Sequence, residues 1–238
     1  MKWWPVKWWL APLLLTLPAA AQAQAYQCTV PQGPVSLPRV EPDGPVRQTA
    51  ITGYTLALTW SPEFCRFRAD APEHTRQCSG RSGRFALTVH GLWPEGRGGD
   101  WPQWCPTRRQ PSEAQVRASM CMTPDAALIA HEWARHGACM TPSPDAYLQV
   151  TRILWNSLRI PDFDRLSRQR GLTAGAIRAA FADANPYWDA EDVGLVLSNR
   201  GWLRELRLCY GADFMPTACD ARRYGPDDDT EVSIWRGL

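Results

Sequence analysis

At 238 residues the chain is long enough for one sizeable domain with its own core and marginal for two. Its formal net charge of +2 comes from Lys2 and Lys7, the only lysines in the sequence. Without the segment that carries them the charge is zero and every fixed cation is arginine. That argues against a globally basic nucleic-acid binder and excludes Schiff-base or general-base chemistry on lysine.

The opening MKWWPVKWWLAPLLLTLPAAAQAQA has two lysines, an apolar run from Trp8 to about Leu17 and the small-residue pattern AQA twice, which predicts a secretory signal peptide over residues 1–23. Cleavage is expected after Ala23 or Ala25, with an uncleaved anchor as the alternative. The apolar run falls short of the roughly 20 residues a spanning helix needs, and no later segment reads as transmembrane. The expected location is therefore secreted or periplasmic, with no membrane contact after cleavage. Eight cysteines, Cys28, Cys65, Cys78, Cys105, Cys121, Cys139, Cys209 and Cys219, all follow the signal. An even count in an exported chain predicts four disulfides, whose pairing spacing alone does not settle.

Residues 24–238 read as a single domain. From Gln24 to Arg47 the chain is rich in Pro, Val and Gly, which predicts an extended arm tied by Cys28 and carrying no chemistry. Tyr54 to Trp60 alternates apolar and polar residues and stops at Ser61-Pro62, as a half-buried strand does. A second strand, Arg84 to Val89, is expected to end at His90-Gly91, after a loop holding Cys65, His74 and Cys78. Residues 95–107 are a loop with glycines, prolines and two tryptophans. Helices are predicted from Pro111-Ser112-Glu113, and from Thr123-Pro124-Asp125 to Gly137 with Thr123 as N-cap and Gly137 as the stop. Two or three more lie between Asp145 and Ala184, and a late strand spans Gly201 to Cys209. Strands, then helices, then a strand indicate an α+β fold. The acidic run Asp227 to Asp229 reads as a solvated turn, and His74 as a structural or exposed histidine. Trp133, Trp155, Trp188 and Trp202 read as core, and Trp101 with Trp104 as a small satellite cluster.

The stretch HEWARHGAC, His131 to Cys139, holds two of the four histidines. It suggests the zinc-peptidase pattern HExxH, but here the histidines are five apart. On an α-helix that separates them by about 140°, against about 40° for the four-residue spacing that shares one ion. Glu132 lies three residues from Arg135 and four from His136, which puts an acceptor, a permanent cation and a group titrating near neutrality on one surface. That set suits a reaction in which a proton moves and charge grows on an oxyanion. Such a reaction needs a second proton-transfer group from elsewhere, and His90 in TVHGLWPE is the candidate. An indole three residues on offers a plane for a base of single-stranded RNA.

TVHGLWPE and HEWARHGAC, in that order, resemble the two signature boxes of the ribonuclease T2 family of secreted acid ribonucleases. The strands LALTWSPEFC and WLRELRLC also resemble its pattern, while the N-terminal arm and the last residues are not covered. The resemblance implies an α+β fold with a central antiparallel sheet flanked by helices, and monomeric action on single-stranded RNA with low base specificity. It further implies cleavage without metal or other cofactor, through a 2′,3′-cyclic phosphate that is hydrolysed to a 3′-phosphate. His136 would be the base that takes the 2′-OH proton and His90 the acid for the leaving 5′-oxygen; the residues alone do not say which is which. Glu132 and Arg135 would stabilise the transition state, His131 would bind phosphate, and Trp93, with Trp60 and Trp104 as further candidates, would bind a base. The chain departs from the family at Arg135, where lysine is usual. The family pattern also implies a Cys105–Cys139 disulfide; Cys209 with Cys219 is a local closure, and Cys65 with Cys78 and Cys28 with Cys121 follow by elimination. The remaining alternatives are a zinc peptidase and a Trp-rich, disulfide-stapled module that binds nucleic acid or glycan with its catalytic set decayed.

Overall fold

The structure is a computed structural model that describes Met1 and residues 25–237; the expected signal peptide falls on residues outside these. In chain order the strands are β1 (Ala25–Tyr26), β2 (Gly53–Trp60), β3 (Arg84–Phe85), β4 (Leu87–Glu95), β5 (Val193–Leu197) and β6 (Leu203–Gly211). The α-helices are α1 (Ser61–Cys65), α2 (Thr75–Cys78), α3 (Glu113–Ser119), α4 (Ala126–Glu132), α5 (Ala138–Met140), α6 (Pro144–Ser157), α7 (Phe163–Leu166), α8 (Ala174–Ala184) and α9 (Ala221–Tyr224). β4, β2, β6 and β5 form an antiparallel sheet in that order, and β1 pairs with β3. This is the expected α+β architecture; β5 is a strand that sequence alternation did not reveal.

The period of two decides what each face of the sheet does. Leu56 of β2 stands opposite Leu92 of β4 and Leu208 of β6, and Leu58 opposite Val89 and Leu206. These side chains meet Ile129, Trp133, Leu148, Trp155, Ile177 and Phe181 from the helices in the core. The other face carries Thr55 opposite Trp93 and Cys209, Ala57 opposite Gly91 and Arg207, and Thr59 opposite Glu205.

β4 does not end at His90, as alternation predicted. Ala57 pairs with Gly91 and Leu58 with Val89, so His90 is the extra residue of a β-bulge and the strand continues to Glu95. A bulge lets two consecutive residues face one side and re-aims the side chain it inserts. The free edge of β4 is closed by other parts of the chain: the Val89 N–H donates to the Met122 carbonyl at 2.9 Å, Thr123 Oγ1 donates to the Val89 carbonyl at 2.9 Å, and the Tyr147 hydroxyl lies 3.3 Å from both Leu92 N and O. These bonds occupy the edge at Val89 and Leu92, where another strand would otherwise pair.

Two helix ends differ from expectation. Thr123 is occupied at the β4 edge, so the N-cap of α4 is Asp125, whose carboxylate accepts from the N–H groups of Ala127 and Leu128. Gly137 is no stop: α4 gives way to a π turn over Trp133–Gly137, and α5 follows directly. A Cβ on Gly137 would come within 2.6 Å of the Trp133 ring and 2.7 Å of Tyr147, so glycine permits the close approach of α6. α3 begins as predicted, with Ser112 and Gln115 forming a capping box.

The four disulfides are Cys28–Cys121, Cys65–Cys78, Cys105–Cys139 and Cys209–Cys219, the pairs set out above. Arg178 is fully buried at the centre of α8. It donates to the carbonyls of Val193, Tyr224 and Pro226 and pairs with Asp228, so the acidic turn is anchored from below as well as solvated.

Candidate active site

A cavity of about 430 Å³ lies on the polar face of the sheet, walled by β4, the α4–π-turn segment, β6 and α9; His90, Trp93, His131, Glu132, Arg135 and His136 all line it. Three local features bring these side chains together. The bulge turns His90 toward the face that holds Glu205. The π turn, with its i→i+5 pattern, carries Arg135 and His136 past Glu132. Gly91 supplies the gap between strand and helix: a Cβ there would overlap Glu132 Oε2.

His90 is held at both nitrogens by carboxylates, with Nδ1 2.8 Å from Glu205 Oε1 and Nε2 3.7 Å from Glu132 Oε1. The Trp93 indole N–H donates to Glu132 Oε2 at 2.7 Å, and its ring stands between the two histidines, 5.1 Å from His90 and 5.7 Å from His136. His136 has no carboxylate neighbour of this kind, and its Nδ1 is buried without a hydrogen-bond partner among the described residues. Arg135 reaches Asp43 at 3.2 Å and Gln103 at 3.3 Å, while its carbonyl accepts from the Trp104 N–H at 2.8 Å. The N-terminal arm, expected to carry no chemistry, thus contributes Asp43 to the site's rim and Arg47, which lies 3.9 Å from the Trp101 ring.

These surroundings push the two histidines apart. Burial alone would lower the pKa of His90, yet the hydrogen bond it donates to Glu205 and the charge of Glu132 outweigh it and hold the group above its ordinary value. His136 is driven the other way, down to about 2, by burial first and then by the charges of Arg135 and His131. Burial raises Glu132 despite the nearby His90 and the Trp93 hydrogen bond. Burial likewise opposes the charge of Glu205, but its hydrogen bond to His90 wins and lowers it. The surroundings therefore favour the proton on His90 and disfavour one on His136.

Several sequence expectations change here. Trp60 is 4% exposed, lies on the core face 5.1 Å from Phe163 and donates to the Trp235 carbonyl, so no base could stack on it. Trp104 is 5% exposed and stands edge-on to His131 at 5.4 Å, which makes it a buttress for that ring and not a platform. Trp101 is on the cavity wall between Arg47 and Arg222, not in a satellite core. Trp202 is half-buried beside Arg66, outside the core. The wheel argument against a shared zinc ion assumed α-helical rotation, which the π turn breaks. What separates His131 from His136 is that one packs on Trp104 and the other near Trp93. Among the described residues, no group of three or more His, Cys, Asp or Glu side chains is arranged to hold a metal ion.

Three functional neighbours were missed. Glu205 fixes His90, Arg207 pairs with Glu205 at 3.6 Å and lies 5.6 Å from the Trp93 ring, and Arg222 pairs with Glu95 at 2.9 Å. The signal for the first two was present, since LRELRL places Glu205 and Arg207 on one face of what proves to be a central strand, where unpaired charge is costly.

The ribonuclease T2 family model matches residues 51–163, which include His90, Glu132 and His136 but stop before β6. A probable ribonuclease of Haemophilus influenzae is 32% identical over 128 residues, covering 48% of this chain and 46% of that protein. Ribonuclease I of Escherichia coli is 29% identical over 217 residues, covering 73% and 80%. The match thus spans about half the length of the first relative and most of the second. In structure the chain is similar to trichomaglin, described as a novel S-like ribonuclease, with a TM-score of 0.62 and 21% identity over 77% of this chain and 97% of that one. It is also similar to RNase NT in complex with 5′-AMP, with a TM-score of 0.58 and 17% identity over 78% and 98%. Both histidine boxes lie inside the matched span, and there and in its fold the chain resembles the ribonuclease T2 family.

Proposed function

We propose that the protein is an endoribonuclease that cleaves single-stranded RNA by transphosphorylation, without metal and with low base specificity. The observation that carries this reading is the pair of histidines in one cavity whose surroundings shift their proton affinities in opposite directions. His136, neutral, takes the proton of the 2′-OH as that oxygen attacks the adjacent phosphorus. His90, protonated, gives its proton to the departing 5′-oxygen as the phosphorus–oxygen bond breaks. The products are a 2′,3′-cyclic phosphate and a 5′-hydroxyl. Hydrolysis runs the roles in reverse: His90 takes a proton from water, and His136 returns one to the 2′-oxygen, leaving a 3′-phosphate. Arg135, with a planar guanidinium in place of the usual lysine, and His131 bind the phosphate, and Glu132 sets the charge between the two histidines. Trp93 remains the base-stacking residue, supported by its place on the cavity wall. Support for export comes from the four disulfides, and the protein acts as a secreted or periplasmic monomer of one domain after loss of its signal.

The reaction needs His136 unprotonated and His90 protonated, so the rate falls below the pKa of the first and above that of the second. The expected profile is bell-shaped with an acidic to neutral optimum. The direct test is product analysis of dinucleotides cleaved with and without EDTA. The expected product, in both cases, is the 2′,3′-cyclic phosphate; RNA left intact between about pH 4 and 8 would sink the proposal.

A further inference from the structure

A second cavity, about 730 Å³, adjoins the candidate site, and His90 and Leu128 line both. Its far wall comes from the turn after α1, which brings Arg66, Phe67 and Arg68, and from the β5–β6 turn and the start of β6, which bring Arg200, Trp202 and Arg204. The carboxylates on its walls are already engaged: Asp125 caps α4, Glu205 holds His90, and Glu63 pairs with Arg66 at 3.5 Å. Arg200 and Arg204 have no ion-pair partner among the described residues. Arg66 lies 4.8 Å from the Trp202 ring and 4.3 Å from Trp235, and beside it Phe67 is 74% exposed. Four arginines in one cavity stand out in a chain whose charges balance to zero beyond Lys7.

Guanidinium groups that track the backbone, together with open rings on which bases stack, are the means by which single-stranded nucleic acid is held. Direction follows from the acid. His90 protonates the departing oxygen, so the departing strand leaves past His90, on the side opposite His136, and that side opens into this cavity. The volume exceeds that of the catalytic cavity, which must seat a nucleotide and the scissile phosphate, so there is room for more chain than the first departing nucleotide.

We infer that the second cavity holds the RNA chain on the 3′ side beyond the nucleotide adjoining the scissile phosphate, with phosphates at Arg66, Arg200 and Arg204 and a base stacked on Phe67 or Trp202. This rests on the ribonuclease reading above. The enzyme then works best on chains, not on dinucleotides. Three RNAs with the same scissile dinucleotide test it: one bare, one extended by a few nucleotides on the 3′ side and one on the 5′ side. The wild-type protein is expected to gain about tenfold or more in kcat/KM from the 3′ extension and little from the 5′ extension. In the double variant Phe67→Ala, Arg200→Ala, the ratio of 3′-extended to bare substrate should fall toward one, and the salt dependence on the extended RNA should lose about 0.7 in logarithmic slope for the lost phosphate contact. Arg66 is left in place because Trp202 and Trp235 pack on it. Equal gains from both extensions, or a ratio that the folded double variant does not move, overturns the inference while leaving the ribonuclease reading intact. Failure of the wild-type protein to cleave any of the three removes that reading, and this inference with it.

Discussion

His90 and His136 are the same side chain in one cavity, yet their surroundings shift their proton affinity in opposite directions. The strand half of the site places His90 between two carboxylates on a sheet face, and the proton stays on. The helix half buries His136 beside Arg135 and His131 with no carboxylate to offset them, and the proton comes off. The lesson is that the assignment of acid and base is made by β6 and Arg135, not by the histidines. Sequence motif and chemical role are separable, because one is local and the other depends on what the fold brings near.

Five variants break or sharpen this contrast. Replacing either histidine by alanine removes one half outright; kcat should fall by about 10³-fold in each case, read as release of cyclic phosphate. A variant retaining more than a tenth of the activity would show that the contrast does not matter to the rate. Gly91→Ala keeps both histidines but forces Glu132 away from the strand, since the new methyl takes the place of Oε2. A displacement of that kind costs about 10²-fold, and the protein should still melt cooperatively. Glu205→Gln keeps a hydrogen-bond acceptor on His90 while removing the charge. Charged hydrogen bonds are worth roughly 1.5–3 kcal/mol against about 1 for neutral ones, so His90 should lose its proton at lower pH and kcat/KM should drop about tenfold at neutral pH. The alkaline limb of the pH profile is expected to move toward acid while the acid limb, set by His136, stays. Movement of both limbs, or of neither, would contradict the pairing. Arg135→Lys should do least. The cation beside His136 persists, and the lost contacts, to the half-exposed Asp43 and to Gln103, are of the surface kind, so activity should stay within about threefold of wild type.

Much of the molecule is legible in the residues. Alternation finds β2 and β6, capping chemistry finds the start of α3, and two histidine boxes name the cavity. What escaped did so for physical reasons. The bulge at His90 interrupts the period of two, so β4 looked as if it stopped there, and Gly91 and Pro94 reinforced the impression although proline is tolerated on an edge strand. The π turn leaves no mark in spacing that an α-helical wheel would show. Asp125 rather than Thr123 caps α4 because Thr123 is needed at the β4 edge, a tertiary contact 34 residues away in sequence. The burial of Trp60 and Trp104 likewise depends on which face of a strand, or which side of a loop, the fold closes over.

The proton on His90 is held in part by Glu205, and Glu205 arrives only with β6. A chain that ends before Leu203 contains every residue of both histidine boxes but leaves the acid with one carboxylate in place of two. The same holds for a chain still being made. Full hold on that proton therefore waits on the last strand of the sheet, although both histidine boxes lie before it.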